Sequence, residues 1–192
     1  MLDTRPYQWM IGGLGLALVV AFSIYLLISG PGGGAPGVAA GHRLHLFVAP
    51  LARSNLDVAA NVAPRCDPRR PARQGLNVCG RRPLVLAFFA LDAAPCIRAV
   101  TALQDVSRAF PRLQFAAVAV NAGHAATERL AREHHWTIPV AYDLTGAVGQ
   151  LYGVSICPLI ELAGAGGIVE RRLIGEGWER PSRLAAAVAR LP

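Results

Sequence analysis

A change of hydrophobic period between residues 84 and 110 constrains the fold of this chain more than any other feature. Leu84–Ala90 is an unbroken apolar run, which is typical of a strand buried on both faces of a sheet. After a short loop, apolar residues recur every three or four positions until Pro111, which predicts an amphipathic helix. That helix begins at the pair Pro95-Cys96. The sequence therefore predicts a buried strand that leads directly into a helix with a cysteine in its first turn.

The rest of the domain alternates strand and helix patterns. Such alternation predicts parallel strands joined by helices, and the glycine-rich turn at 163–167 predicts an antiparallel hairpin. We expect an α/β domain with a central mixed sheet flanked by helices. A first strand is predicted from the alternation of Leu44, Leu46 and Val48. The later strands are predicted at 114–120, 138–142, 159–162 and 168–174, and the later helices at 125–135, 145–152 and 181–190.

The N-terminal region contains a long apolar segment. Met10–Ile28 has no charged residue, and a helix of this length spans about 28 Å, close to the thickness of a bilayer core. We therefore predict one N-terminal transmembrane helix over residues 10–29. A secretory signal peptide, with a conceivable cleavage site at 38–40, is the alternative. Its apolar core would normally span only about 7–15 residues.

The charges that flank this segment predict its orientation. Arg5 precedes the segment, and no charge follows it until Arg43, so the short tail should stay inside. We expect a cytoplasmic tail at 1–9, a flexible Gly/Pro linker at 30–41 and an extracytoplasmic domain at 42–192. The protein would then be a single-pass cell-membrane protein, in a compartment where disulfides persist.

The net charge of +7 does not by itself define a partner. All 19 basic residues are arginine, and six of them lie between residues 65 and 82. A solvated loop explains this cluster, and attraction to anionic lipid headgroups is the sharper alternative. No nucleic-acid-binding motif accompanies the charge, so we expect no nucleic-acid partner.

Two of the four cysteines lie in the same polar loop. Cys66 and Cys79 are separated by a stretch rich in Pro, Arg and Asn, and a disulfide between them would contribute about 3 kcal/mol in the chain-entropy model. A structural zinc site needs four ligands, which no nearby Cys or His completes. We expect a structural disulfide here, and neither a metal nor a cofactor in the protein.

Three local features carry a resemblance to a known family: the strand LVLAFFA, Cys96 at the start of the helix, and the segment Tyr152–Pro158. Together with the order of elements, they resemble the thioredoxin fold. The similarity extends to membrane-tethered thioredoxin-like proteins of the TlpA/ResA and peroxiredoxin-related group, over about residues 42–192. The resemblance implies a thioredoxin-like fold in which the Cys157–Pro158 peptide bond is cis and packs beside the active-site loop.

The same resemblance implies a degenerate site. The family's Cys-x-x-Cys motif falls on Ala93, Ala94, Pro95 and Cys96, so an alanine replaces the exposed, attacking cysteine. The buried acid that thioredoxins often carry is also absent, because Ala87 occupies its place. Cys157, directly before the expected cis-proline, would lie within disulfide range of Cys96. We therefore expect Cys96 and Cys157 to form an atypical catalytic pair, shaped by Ala93, Pro95 and Pro158, that exchanges with a protein thiol or disulfide partner.

Two other functions remain open at this point. The domain could be a catalytically inactive binding module in which the Cys96–Cys157 disulfide is purely structural. It could also be a divergent peroxiredoxin-like thiol peroxidase, although Ala93 and Phe89 occupy the places of that family's active-site threonine and proline.

Glu161 is an unusual residue for the strand that follows the proline. We expect its carboxylate to face solvent at an edge of the sheet. Assistance to a nearby thiol is the alternative.

Overall fold

The computed structural model describes residues 15–25, 36–53, 75–78 and 83–191, and the chain divides into two units, Met1–Ala35 and Pro36–Pro192. In the first unit, residues 15–25 form helix α1, whose apolar side chains are exposed. Among the described residues, no helix combines the length and apolarity needed to cross a membrane. The remainder of the predicted transmembrane helix, at 10–14 and 26–29, lies outside the described residues.

The second unit is built around a mixed β-sheet. Its described strands are β1 (Val48–Arg53), β2 (Gly75–Asn77), β3 (Leu84–Phe89), β4 (Gln114–Val120), β5 (Val140–Asp143), β6 (Leu159–Ala163) and β7 (Val169–Ile174). They are arranged in the order β2-β1-β5-β4-β3-β6-β7. Strands β3, β4 and β5 are parallel, whereas β6 and β7 form the predicted antiparallel hairpin beside β3. This confirms the predicted central mixed sheet.

Helices join these strands close to the predicted positions. The helices of this unit are α2 (Ala94–Ser107), α3 (His124–Glu133), α4 (Ala147–Leu151) and α5 (Pro181–Val188). Helix α2 follows β3 after a four-residue loop, with a proline in its first turn, where a missing amide costs no intrahelical hydrogen bond. A short 3₁₀ turn, Ala165–Gly167, joins β6 to β7.

The two faces of the sheet carry separate apolar cores. Alternate side chains of β3 point to opposite faces, so Ala87 and Phe89 pack on one face and Leu86 and Phe88 on the other. The first face, covered by α2 and α5, holds the helix-side core, to which Cys96 belongs. The second face holds the opposite core. All six residues of β3 are buried, as its unbroken apolar run predicts.

The first strand does not lie where the alternation placed it. Strand β1 begins at Val48 and continues past Pro50, whereas Leu44 and Leu46 precede it, and Leu46 is exposed. This earlier segment instead contacts the turn between β6 and β7, where the Leu44 amide donates to the carbonyl oxygen of Gly167 at 2.8 Å. The predicted strand at Leu44–Val48 is therefore wrong.

The second unit also begins earlier than the predicted domain boundary at residue 42. The Gly37 amide donates to the Tyr152 carbonyl oxygen at 2.8 Å, and the Val38 amide donates to Glu161 Oε1 at 2.7 Å. The Gly41 amide donates to a β7 carbonyl oxygen, also at 2.8 Å. Residues 36–47, named here the N-terminal strap, therefore belong to the folded unit. Within the strap, residues 36–41 are bound to this unit and do not form part of the predicted flexible linker.

Gly37 is the position where the strap fits most tightly. Its φ of +81° is in the left-handed region, and an added Cβ would overlap Glu161 Oε1 and lie 3.0 Å from a Leu159 methyl carbon. Gly41 has nearly the same φ, +83°, but an added Cβ would meet nothing within 4 Å. The two glycines therefore form a matched pair of test positions.

We expect Gly37→Ala to destabilise the protein more than Gly41→Ala. Both substitutions carry the backbone cost of a left-handed alanine, about 1–2 kcal/mol. Only Gly37→Ala adds overpacking, about 1–3 kcal/mol. Urea denaturation of both variants measures the difference in the free energy of unfolding. Equal losses would show that Glu161 does not hold the strap closely.

Candidate active site

The start of helix α2 positions Cys96. Ala93 has an extended backbone, with φ −107° and ψ 102°, and the helix begins at the next residue. Cys96 is the third residue of the helix and is only 1% exposed. Because helical side chains lean toward the N-terminus, its sulfur lies at the first turn. The surviving cysteine is therefore buried at the point where β3 gives way to α2.

Cys157 reaches the same edge of the sheet from another direction. The Cys157–Pro158 peptide bond is cis, as the family resemblance implies. The carbonyl oxygen of Pro158 accepts a hydrogen bond from the Gly175 amide at 3.0 Å. The next residue, Leu159, opens β6 and pairs with Phe88 near the end of β3. The pairing of β6 with β3 thus brings Cys157 beside the loop that precedes α2.

The two cysteines form a disulfide. Their Cα atoms are 5.6 Å apart, inside the usual range of about 4.4–6.8 Å. Cys157 is partly exposed and borders a cleft of about 170 Å³ between the ends of β3 and β4 and residues 154–157. The predicted proximity of the two sulfurs is confirmed. Their catalytic roles remain predictions.

The bridge has an apolar environment on the helix side. Ala87, at the place of the usual buried acid, is completely buried. Among the described residues, the buried acidic side chains are Asp143 and Glu161. Side chains alternate along a strand, and Val140 and Ile160 pack in the helix-side core, so both carboxyl groups lie on the opposite face. Asp143 accepts a hydrogen bond from the Gly149 amide at 2.8 Å. Within the described residues, neither buried carboxyl group therefore lies on the bridge's face of the sheet.

The prediction that Glu161 faces solvent is wrong, because the residue is completely buried. Side chains alternate along β6, so Glu161 lies on the face opposite Ile160, which packs in the helix-side core with Cys96. The carboxylate therefore does not face the buried sulfur of Cys96 either. Its Oε1 accepts a hydrogen bond from the Val38 amide of the strap, while Oε2 has no hydrogen-bond partner among the residues that the structure describes. The sequence signal was the lone carboxylate in an apolar strand.

Burial controls the ionisation of this carboxyl group. Desolvation raises the pKa of Glu161 from 4.5 to about 7, against the opposing effects of the Val38 amide and the positive charge of Arg172. Arg172 Nη1 also donates to the Pro36 carbonyl oxygen at 2.9 Å, so it binds the same strap. Burial, together with the charge of Glu161, raises the pKa of Tyr152 far above its usual value.

Tyr152 connects the strap to the loop that carries Cys157. Its hydroxyl donates to the His45 carbonyl oxygen at 2.8 Å, and its own carbonyl oxygen accepts from the Gly37 amide. Its ring packs against Phe88 with the centroids 4.6 Å apart. The strap is therefore bound by residues on both sides of Cys157, because Tyr152 precedes it and Glu161 follows it.

The other predicted disulfide joins Cys66 to Cys79. Cys66 and Cys79 lie outside the described residues, so their pairing remains a prediction.

The fold and the disulfide bridge together define a class of protein. The mixed sheet, the disulfide at the start of α2 and the cis-proline loop form a thioredoxin-like fold. The model of the AhpC/TSA family matches residues 75–172, slightly more than half of the sequence. The chain belongs to the AhpC/TSA family. No curated protein matches it.

Solved structures give the same fold. A secreted Mycobacterium tuberculosis disulfide oxidoreductase homologous to E. coli DsbE is 17% identical, with 76% of this chain and 96% of that chain covered and a TM-score of 0.57. StoA from Bacillus subtilis is 18% identical over 59% of this chain and 87% of its own, with a TM-score of 0.51. A peroxiredoxin-like protein from Aquifex aeolicus is 13% identical over 82% and 90%, with a TM-score of 0.58. At these identities the similarity shows the fold alone.

We expect Glu161→Gln to flatten the pH dependence of stability. Because the folded-state pKa is raised to about 7 from 4.5, Glu161 contributes stability that is fully present below pH 4.5 and is lost as the pH rises through 7. The wild type should therefore lose about 3 kcal/mol more than the variant between about pH 4 and pH 8.

The measurement is urea denaturation of the full-length protein across this pH range. Glutamine keeps an oxygen that can accept from the Val38 amide, so the variant changes charge with little change of shape. Glu170→Gln, at an exposed position on β7, is the matched control and should follow the wild type. Parallel curves for Glu161→Gln and the wild type would contradict the assignment.

Proposed function

We propose that this protein is a membrane-tethered, extracytoplasmic thiol–disulfide oxidoreductase whose redox pair is Cys96 and Cys157. The observation that carries the proposal is the disulfide between the start of α2 and the cis-proline loop, with Cys157 partly exposed and lining an open cleft. A cysteine in this position can meet an incoming thiolate, which is the reacting form in exchange.

The proposed site is a degenerate Cys-x-x-Cys site. Ala93 carries no sulfur, so Cys96 has no partner within its own loop. Cys157 supplies that partner from across the loop, which keeps two cysteines at the same edge of the sheet. The site therefore retains the minimum that exchange chemistry requires, a disulfide that can open to two thiols.

The proposed reaction balances with one substrate. A substrate dithiol gives up two electrons and two protons to the bridge, so it becomes a disulfide while Cys96 and Cys157 become thiols. The reverse reaction reduces a substrate disulfide. The reduction potential of the bridge determines which direction is favoured in a given compartment.

Two observations bear on the alternatives. A purely structural bridge would be consistent with the burial of Cys96, but it gives no role to the cleft beside Cys157. A peroxidase would need an activated thiolate at the helix start. Ala93 and Phe89 stand in place of the threonine and proline of the peroxiredoxin pattern, and Cys96 is buried.

We expect the Cys96–Cys157 bridge to be readily reducible, with a potential above about −300 mV, because structural bridges usually lie below that value. The full-length protein is equilibrated in dithiothreitol redox buffers, and alkylation with peptide mass spectrometry follows this pair separately from Cys66 and Cys79. Cys96→Ser and Cys157→Ser should each abolish oxidation of a dithiol peptide. Ser182→Ala, at an exposed position on α5, is the control and should retain it.

The result distinguishes the three functions. A potential well below −300 mV, together with no exchange, would favour the binding module over an oxidoreductase. Fast oxidation of the reduced protein by hydrogen peroxide, abolished in Cys96→Ser, would favour the peroxidase.

Membrane tethering is proposed from the N-terminal sequence and from helix α1. An uncharged apolar segment of 19 residues contains α1, and the apolar side chains of α1 are exposed. A helix that is apolar on all sides requires an apolar environment. The strap argues against cleavage at 38–40, because cleavage would remove the Val38 amide that binds Glu161.

We expect the full-length protein to stay in the membrane pellet after alkaline extraction. An arginine near the centre of a spanning helix costs about 2.5–3.5 kcal/mol, so Val19→Arg combined with Val20→Arg should release it. Leu144→Arg, at an exposed site on the domain, is the control and should leave retention unchanged. Cleavage of the domain by protease added outside intact cells tests the orientation. Release of the wild type, or a mature protein beginning near Gly41, would contradict anchoring.

A further inference from the structure

We propose that thiol–disulfide exchange at this site takes place on Cys157, with Cys96 as the leaving sulfur. This inference rests on the proposed redox function and specifies how the site works. The mixed disulfide with substrate then forms on the cis-proline loop, at Cys157, and not at the start of the helix, at Cys96. The substrate class is a protein dithiol whose reacting cysteine can enter the cleft beside residues 154–157.

Access is the first argument. Cys96 is 1% exposed and packs in the helix-side core with Val100 and Leu103. Cys157 is partly exposed and lines the 170 Å³ cleft, whereas Cys96 does not. Cys157 is therefore the cysteine of the pair that solvent reaches, whereas a thiolate that attacks Cys96 would have to pass packed side chains.

The stability of the leaving thiolate is the second argument. Cys96 lies in the first turn of α2, a 14-residue helix with no acidic residue in that turn. The partial positive charge at a helix N-terminus stabilises a thiolate there. Cys157 Sγ is instead 3.9 Å from the carbonyl oxygen of Phe88, whose partial negative charge disfavours an anion. Negative charge released by bond cleavage is therefore better placed on Cys96.

The steps balance as follows. A substrate thiol loses its proton to water, and the thiolate attacks Cys157 Sγ. A substrate–Cys157 disulfide forms, the bond to Cys96 breaks and its electron pair stays on Cys96, which then takes a proton from water to become a thiol. The second substrate thiolate then attacks the substrate sulfur of this mixed disulfide. The substrate leaves as a disulfide, and Cys157 leaves as a thiolate that takes a proton from water at the cleft. Reduction of a substrate disulfide passes through the same mixed disulfide in reverse.

These roles divide the site differently from a Cys-x-x-Cys site. In the related family, the exposed first cysteine attacks and the buried second cysteine resolves the mixed disulfide. Here Cys96 keeps the buried, resolving position, and Cys157 takes the exposed one. The loss of sulfur at Ala93 is therefore compensated from the opposite side of the loop.

The test maps the mixed disulfide in the wild-type, full-length protein. The oxidised protein is mixed with a cysteine-containing peptide and quenched in acid, and mass spectrometry identifies the cysteine that carries the peptide. We expect about tenfold or more adduct on Cys157 than on Cys96, because access determines which sulfur is attacked. In concentrated guanidinium, where both sulfurs are accessible, the preference should disappear.

Single-cysteine variants provide a second measurement. The probe is an aromatic disulfide at about pH 10, where both thiols are ionised and the comparison reports access. Cys157 in the reduced Cys96→Ser variant should then react about tenfold faster than Cys96 in reduced Cys157→Ser. Predominant adduct on Cys96, or faster reaction of Cys96, would overturn the order of attack while leaving the redox function intact. No adduct on either cysteine in the folded protein, with adduct in guanidinium, would overturn both proposals.

Discussion

The pairing of β6 with β3 is the constraint on which the site depends. Strand β3 is buried along its whole length, so its position in the sheet is fixed by both cores. Its C-terminal end leads into α2, and the N-terminal end of β6 lies beside it because the two strands are antiparallel. One strand pairing therefore brings the start of a helix next to a loop more than fifty residues later in the sequence. The Cys96–Cys157 bridge forms at that junction.

The opposite face of the sheet adds a second constraint on the Cys157 loop. Glu161 and Tyr152 flank this loop, and both bind the N-terminal strap through its backbone amides. Burial of a carboxyl group is costly when one of its oxygens has no partner within the described part of the chain, and the raised pKa of Glu161 expresses that cost. The Val38 amide of the strap partly offsets this cost of burial, because it donates a hydrogen bond to the carboxylate. The segment that enters the domain and the loop that carries Cys157 therefore share the same supporting contacts.

The elements with strong local patterns could be predicted from the sequence, whereas positions set by distant partners could not. The apolar run of β3 and the period of α2 predict both elements because burial determines each pattern. Leu44 and Leu46 also alternate, but the Leu44 amide bonds to Gly167, which no local pattern contains. The prediction that Glu161 faces solvent is wrong for the same reason, since its partner, Val38, is 123 residues away in the sequence. The cysteine pair was predicted only because the family resemblance placed Cys157 beside the helix start.

The strand pairing allows Cys157 to supply the sulfur that the family's motif would place at position 93, where this chain has an alanine. Both positions border the N-terminus of α2, so a partner sulfur at either one can bond to Cys96 without moving the helix. The two positions differ in what holds them. Ala93 belongs to the loop before α2, whereas Cys157 precedes a strand that is paired on both sides by β3 and β7. A mixed disulfide on Cys157 would therefore be held by the sheet itself, and the substrate would approach along the edge where β3 and β4 end.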